Sequence, residues 1–213
     1  MKSAIAKVPS KNGVSEVAEN QIVVKKITPR HTIVKVKSRM GSTYIPHKLT
    51  PENVREFGVF KKQMGQSVKK TLRNLDAEYE SCFYRTVDGK YGIPAASFAA
   101  SILDAAVACM IPKTQIKRAI RIIGDIYELK YEKLNKREDV VRQSGMTKAP
   151  DIRIRPEFIN WSCDIAVQFD ENQISGDQIV NLINQAGFST GVGDWRPGAP
   201  KSSGTHGMFE VVV

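Results

Sequence analysis

From Trp161 to Phe169 the side chains alternate without a break. Trp161, Cys163, Ile165, Val167 and Phe169 fall on one side, and Ser162, Asp164, Ala166 and Gln168 on the other. Successive residues of an extended chain point to opposite faces, so this run reads as a strand with one buried and one solvated face. A strand of this kind needs a cover for its apolar side. The next segment supplies one: Ser175 caps a predicted helix over 176–186 with the stripe Ile179, Val180, Leu182, Ile183 and Ala186, closed by Gly187.

The same logic places the other elements. QIVVKKI and HTIVKVK alternate apolar and basic residues around the Thr28-Pro29 break. In the second run Ile33, Val34 and Val36 are expected to feed the core while Lys35 and Lys37 face out. Thr50-Pro51-Glu52 has the residues of a helix start, and so has Asp76-Ala77-Glu78. Val87-Asp88-Gly89-Lys90 is a tight turn. Ile93-Pro94 opens the strongest helix, over 94–110, with Phe98, Ile102, Ala105 and Cys109 on one face and Pro112 as its stop. Residues 114–131 fit either a short helix (TQIKRAIRII) or a strand (RIIGDIYELKY), with Gly124-Asp125 as a bulge or turn. DIRIRPEF alternates, and a Gly-rich loop from Thr190 to Gly207 precedes a terminal strand, MFEVVV.

In chain order these elements run βαββαβ. That predicts an α+β chain with a ferredoxin-like core and two insertions, about 38–92 and 132–150. Residues 1–20 read as a flexible N-terminal arm, and 21–213 as a single elaborated domain, because neither half alone holds four strands.

Charge speaks about partners. Residues 1–75 hold 16 Lys/Arg against 4 Asp/Glu, whereas 76–213 hold 16 against 18. A segment so positive repels itself unless a polyanion is at hand, and nucleic acid is the commonest polyanion. The first insertion presents Arg39, Lys48, Arg55, Lys61, Lys62, Lys69, Lys70 and Arg73, with Tyr44, Phe57 and Phe60 among them. Cations mixed with aromatic rings suit single strands; Phe57 and Phe60 equally suit the apolar face of a helix. The second insertion and its flanks carry Lys130, Lys133, Lys136, Arg137, Arg142 and Lys148, expected to line a groove with Met146 as an apolar wedge. In Gly193-Asp194-Trp195-Arg196-Pro197, Trp195 and Arg196 either stack a base and grip a phosphate, or pin the loop and pair with an acid.

Catalysis has little support. His31, His47 and His206 lack any motif around them and read as loop residues. No GxSxG, HExxH, Walker A or DxD pattern occurs. Thr190-Gly191-Val192-Gly193 follows a helix rather than a strand, so it is no dinucleotide cradle. Cys82, Cys109 and Cys163 are widely spaced and read as reduced packing residues of a cytoplasmic protein. The chain is therefore read as non-catalytic, without cofactor or metal, unless Asp104, Asp164 and Asp194 converge. The N-terminal MKSAIAKVPSKNG has no apolar core of a signal peptide, and Ile93–Ile111 is too polar to span a bilayer, so no membrane partner is expected.

Several segments carry a resemblance. Tyr44-Ile45-Pro46-His47-Lys48, Ala77-Glu78-Tyr79-Glu80, Tyr84-Arg85, Asp88-Gly89-Lys90-Tyr91-Gly92-Ile93-Pro94-Ala95, Pro156-Glu157-Phe158, Trp161-Ser162, the run from Gln178 to Phe188, Gly191-Val192-Gly193-Asp194-Trp195-Arg196-Pro197 and Gly207-Met208-Phe209-Glu210-Val211 resemble a family of small bacteriophage and prophage proteins, over about residues 30–213. That resemblance implies a viral origin and a host cytoplasmic location, not an activity. In architecture the expected core with basic insertions is similar to the RAMP proteins, notably the Cas7-like backbone subunits of CRISPR effectors. This likeness implies a multimer along RNA with 132–150 as a thumb, although the glycine-rich RAMP signature is absent. The expectation is a non-catalytic phage protein that binds single-stranded nucleic acid, DNA or RNA, as a homo-oligomer. The alternative is a virion or assembly component, or an inhibitor docking on an acidic host surface.

Overall fold

The computed structural model describes residues 24, 26–48, 74–142, 150–200 and 203–212. The arm 1–20, the helix start at Thr50, Phe57, Phe60 and Met146 lie outside the described residues, as do Lys61, Lys62, Lys69, Lys70, Arg73 and Lys148. The described chain is a mixed α+β fold with four helices and several antiparallel sheets.

The central sheet has four strands, β1 (Pro29–Ser38), β3 (Ile120–Ile123), β7 (Ser162–Asp170) and β8 (Phe209–Val211), in the order β3-β7-β1-β8. Every pairing is antiparallel, and β1 matches β7 from Pro29↔Asp170 to Lys37↔Ser162. Trp161, Cys163, Ile165, Val167 and Phe169 are all buried, as the alternation requires. Their cover is α2 (Ala95–Ala108) and α4 (Gly176–Ser189). These two helices meet where Ser101 Oγ donates to Ala186 O at 3.2 Å, and the Phe98 ring stands edge-on to Phe209 at 5.3 Å.

Smaller elements decorate this core. Asn74 caps α1 (Leu75–Ser81) by accepting from Ala77 N. The strand β2 (Gly92–Pro94) pairs with β4 (Ile126–Glu128). The ambiguous stretch 114–131 is both things in turn: helix α3 (Lys113–Ala119), then β3, the Gly124-Asp125 turn, and β4. Between β4 and β7 a hairpin of two ten-residue strands stands out, β5 (Lys133–Arg142) and β6 (Pro150–Ile159). The expected polar excursion at 132–150 is therefore largely strand. KLNKREDVVR gives no clear apolar alternation because neither face of β5 is buried in the core: Lys136, Glu138, Val140 and Arg142 are exposed on one face, and the other is only half-buried.

Four other expectations need correction. Ile33 is 75% exposed, because strict alternation sends it outward with Lys35 and Lys37 while Val34 and Val36 turn in. His31 lies within β1, not in a loop. Gly187 does not end its helix; it lies inside α4, where the helix backbone closely approaches β8. The helix α2 stops at Ala108, with Cys109 as its exposed C-cap and Met110 at φ 62, so Pro112 caps α3 instead and Cys109 packs nothing.

Ser175 does cap α4, in a full capping box with Gln178. Ser175→Ala is expected to cost about 1 kcal/mol, read as a lower urea midpoint at unchanged slope.

Candidate nucleic-acid interface

The hairpin decides what the predicted cations do. Its period of two puts neighbours on opposite faces, so Lys133 and Arg137 look one way and Lys136 and Arg142 the other. The groove expected from Lys130, Lys133, Lys136, Arg137 and Arg142 is thus divided by the strand itself.

On the Lys136 face sits α1. Lys136 Nζ is 2.6 Å from Asp76 Oδ1 and lies over the Tyr79 ring, 5.4 Å from its centre. That hydrogen bond and charge hold the exposed Asp76 carboxyl below its ordinary range and raise the lysine. The opposite face meets the loop after α4. There Arg137 pairs with Asp139 Oδ2 at 2.7 Å and Glu157 Oε1 at 3.1 Å, and its guanidinium lies 5.1 Å from the Trp195 ring centre. Trp195 adopts φ 50 and is half-buried between Arg137 and His206. Thr43 Oγ1 donates to Glu157 Oε1 and lies 2.8 Å from His206 Nδ1. A hydroxyl has one proton, so His206 Nδ1 is the donor in that second contact. Burial, and then the charge of Arg137, push the His206 pKa down.

Deeper in the same face is Arg155, only 7% exposed. Its Nε reaches Asp194 Oδ2 at 3.3 Å, its Nη1 lies 3.8 Å from Cys82 Sγ, and its Nη2 is 3.4 Å from His47 Nδ1. His47 Nδ1 also meets Asp194 Oδ2 at 3.2 Å. Burial raises the Cys82 thiol despite Arg155, and its Sγ donates to Glu78 O, so it is a neutral packing thiol and not a nucleophile.

The remaining predicted residues are dispersed. Arg39 lies over the Phe188 ring at 5.1 Å, beside the end of α4. Lys130 is on the central sheet, paired with Asp164 Oδ2 at 2.7 Å. Arg196 donates to Gly193 O, inside its own loop. Lys48, Lys133 and Arg142 are exposed and have no ion pair among the described residues. Tyr44, a candidate stacker, is buried beneath Phe158 and Trp161 and is out of reach. Asp104 pairs with Lys113, Asp164 with Lys130 and Asp194 with His47 and Arg155, so these three carboxylates occupy three separate places. Among the described residues no group of three His, Cys, Asp or Glu could hold a metal ion, and no helix is long and apolar enough to cross a membrane.

Two clusters, Thr43 with Glu157 and His206, and His47 with Arg155 and Asp194, join the YIPHK, PEF and GDWRP motifs and their neighbours. Asp194 N donates to Ile45 O, Gly207 N to Thr43 O and Lys48 N to Cys82 O, so those motifs form one packed unit.

No family model matches this chain, and no curated protein does. Among solved structures it is similar to a chain in the cryo-EM structure of the Type III-B Cmr-beta bound to cognate target RNA. The likeness has 10% identity and a TM-score of 0.47, and covers 87% of this chain but 59% of that one.

Proposed function

We propose that this chain binds single-stranded nucleic acid, without catalysing a reaction on it, through its two basic insertions. One observation carries the reading: α1, where the first insertion returns to the fold, is seated on the hairpin that forms the stem of the second. The segment 49–73, with six Lys/Arg against two Glu, leaves at Lys48 and rejoins at Asn74. Both ends lie against α1, since Lys48 N bonds to Cys82 O and Asn74 is the cap. Lys148 belongs to the segment joining β5 to β6. Positive charge from distant parts of the sequence is thereby tethered beside the hairpin, and Lys48, Lys133 and Arg142, which have no ion pair among the described residues, are offered to phosphates, Lys133 from the face opposite α1. Lys136 and Arg137, by contrast, are occupied by carboxylates and act first as struts.

The strand order β3-β7-β1-β8, with α2 and α4 on one face, supports the ferredoxin-like reading of the core. A phage origin, for which the motif resemblance speaks, and binding as a multimer belong to the same proposal.

Fluorescence anisotropy with labelled single strands of DNA and RNA, over a range of salt, tests it. The logarithm of the association constant should fall linearly with the logarithm of salt, by roughly 0.7 for each phosphate contacted. Replacing Lys48, Lys133 and Arg142 together by alanine should remove about 2 from that slope. A flat salt response, or assembly in light scattering that ignores added oligonucleotide, overturns the reading in favour of a protein-interaction role.

A further inference from the structure

The central sheet has a second face that no helix among the described residues covers. In β1 the alternation that buries Val34 and Val36 leaves His31, Ile33, Lys35 and Lys37 exposed. Strand register sets their neighbours. Ile33 stands opposite Ala166, and Ala166 opposite Ile123, itself 40% exposed. An apolar row therefore crosses three strands. Next to it lie Lys35 opposite Asp164, then Lys37, Ser162 and Lys130 in one line; on its other side are Arg121, Gln168 and His31. Of the acids on this face, Asp164 is paired with Lys130 and Glu210 with Lys37 at 3.3 Å, while Asp170, at the far end of β7, accepts from Thr28 N, Asn172 N and Gln173 Nε2. Lys35 and Arg121 are exposed, with no ion pair among the described residues.

We propose that this open sheet face is a second binding surface for single-stranded nucleic acid, with phosphates on Lys35 and Arg121 and bases lying on Ile33 and Ile123. It rests on the reading above that the chain binds single strands, and adds a surface distinct from the insertions. Cations on both sides of an apolar row complement a strand whose charged backbone and flat bases are presented together. A duplex hides its base faces in the stack and leaves Ile33 without a partner. Strands are about 4.8 Å apart, so the row spans roughly 10 Å, the length of about three stacked nucleotides.

The test uses the full chain, labelled oligothymidylate and oligouridylate, and three variants: Lys35→Ala with Arg121→Ala, Ile33→Ala, and the insertion triple at Lys48, Lys133 and Arg142. The sheet double should lower the salt slope by about 1.4, two contacts at roughly 0.7 each. Ile33→Ala should weaken binding about fivefold, as expected for partial burial of an isoleucine, while the slope stays the same. The three substituted positions on the sheet face, Ile33, Lys35 and Arg121, are all exposed, so melting temperatures should match the parent. If the insertion triple loses affinity while both sheet variants bind like the parent, the sheet surface is refuted and the insertion reading stands. If the parent binds neither oligonucleotide, both fall. Displacement of the strand by polyglutamate at equal charge concentration, or a change of mass with Ile33→Ala in the absence of oligonucleotide, assigns the face to a protein partner and overturns the proposal.

Discussion

Gly187→Ala should destabilise the protein by about 3 kcal/mol, although alanine is the better helix former. A Cβ at this point of α4 would fall 1.8 Å from Phe209 O and 2.6 Å from its carbonyl carbon. Both are backbone atoms, so no rotamer change relieves the clash, and α4 must back away from β8. The same contact holds Val211 N against Asn184 Oδ1 at 2.8 Å and seats Phe209 against Phe98 and Trp161, so retreat loosens packing as well as one hydrogen bond. Gly176→Ala is the control, at the start of the same helix, where nothing lies within 4 Å of the added methyl. It should be neutral or stabilising by up to about 1 kcal/mol. Urea unfolding of the pair measures the difference. A Gly187→Ala protein as stable as the parent would mean that the helix and β8 are not in this contact.

Arg155→Met should cost about 2–4 kcal/mol at neutral pH. Removing one partner of a buried ion pair strands the other charge, and the estimate is held down because the Asp194 side chain is 34% exposed. Burial alone pushes the Asp194 carboxyl up. The hydrogen bond and charge of His47, together with Arg155, more than reverse this, so its pKa lies below the ordinary carboxylate value. The sign follows from linkage. With a depressed folded pKa, the stabilisation is present above the unfolded carboxylate value of about 3.9 and is lost as pH falls through the folded one. In Arg155→Met the burial is retained and the arginine's opposing charge is gone, so protonating Asp194 relieves the variant. The gap between variant and parent should therefore be widest near neutrality and narrow towards about pH 4. Denaturant midpoints at the two pH values check it, and a gap that grows on acidification would show that Asp194 is not the group left stranded.

Much of the central sheet was legible in the residues, because each strand buries one face only. Trp161–Phe169 could be written out side by side, and its outcome needed no tertiary information. The Ser175 cap was equally plain, since capping is satisfied within three residues of the cap. Ile33 shows the limit: hydrophobicity pulled it inward, but the period of two outranked its type. The hairpin strand β5 was missed because neither of its faces is buried in the core, so neither side needed a run of apolar residues.

The candidate interface was harder to read for the same physical reason. Positive charge was visible as a count, but an ion pair is not. Arg155 and Asp194 are 39 residues apart, and Arg155 and His47 are 108 apart.

By itself, then, the sequence determined the alternating strands, the capped helix α4 and the surplus of cations, since periodicity and composition are local properties. The tertiary structure alone decided which of the described lysines and arginines are held by acids. A carboxylate removes a cation from service only by lying within a few ångströms of it, and that distance is created by folding.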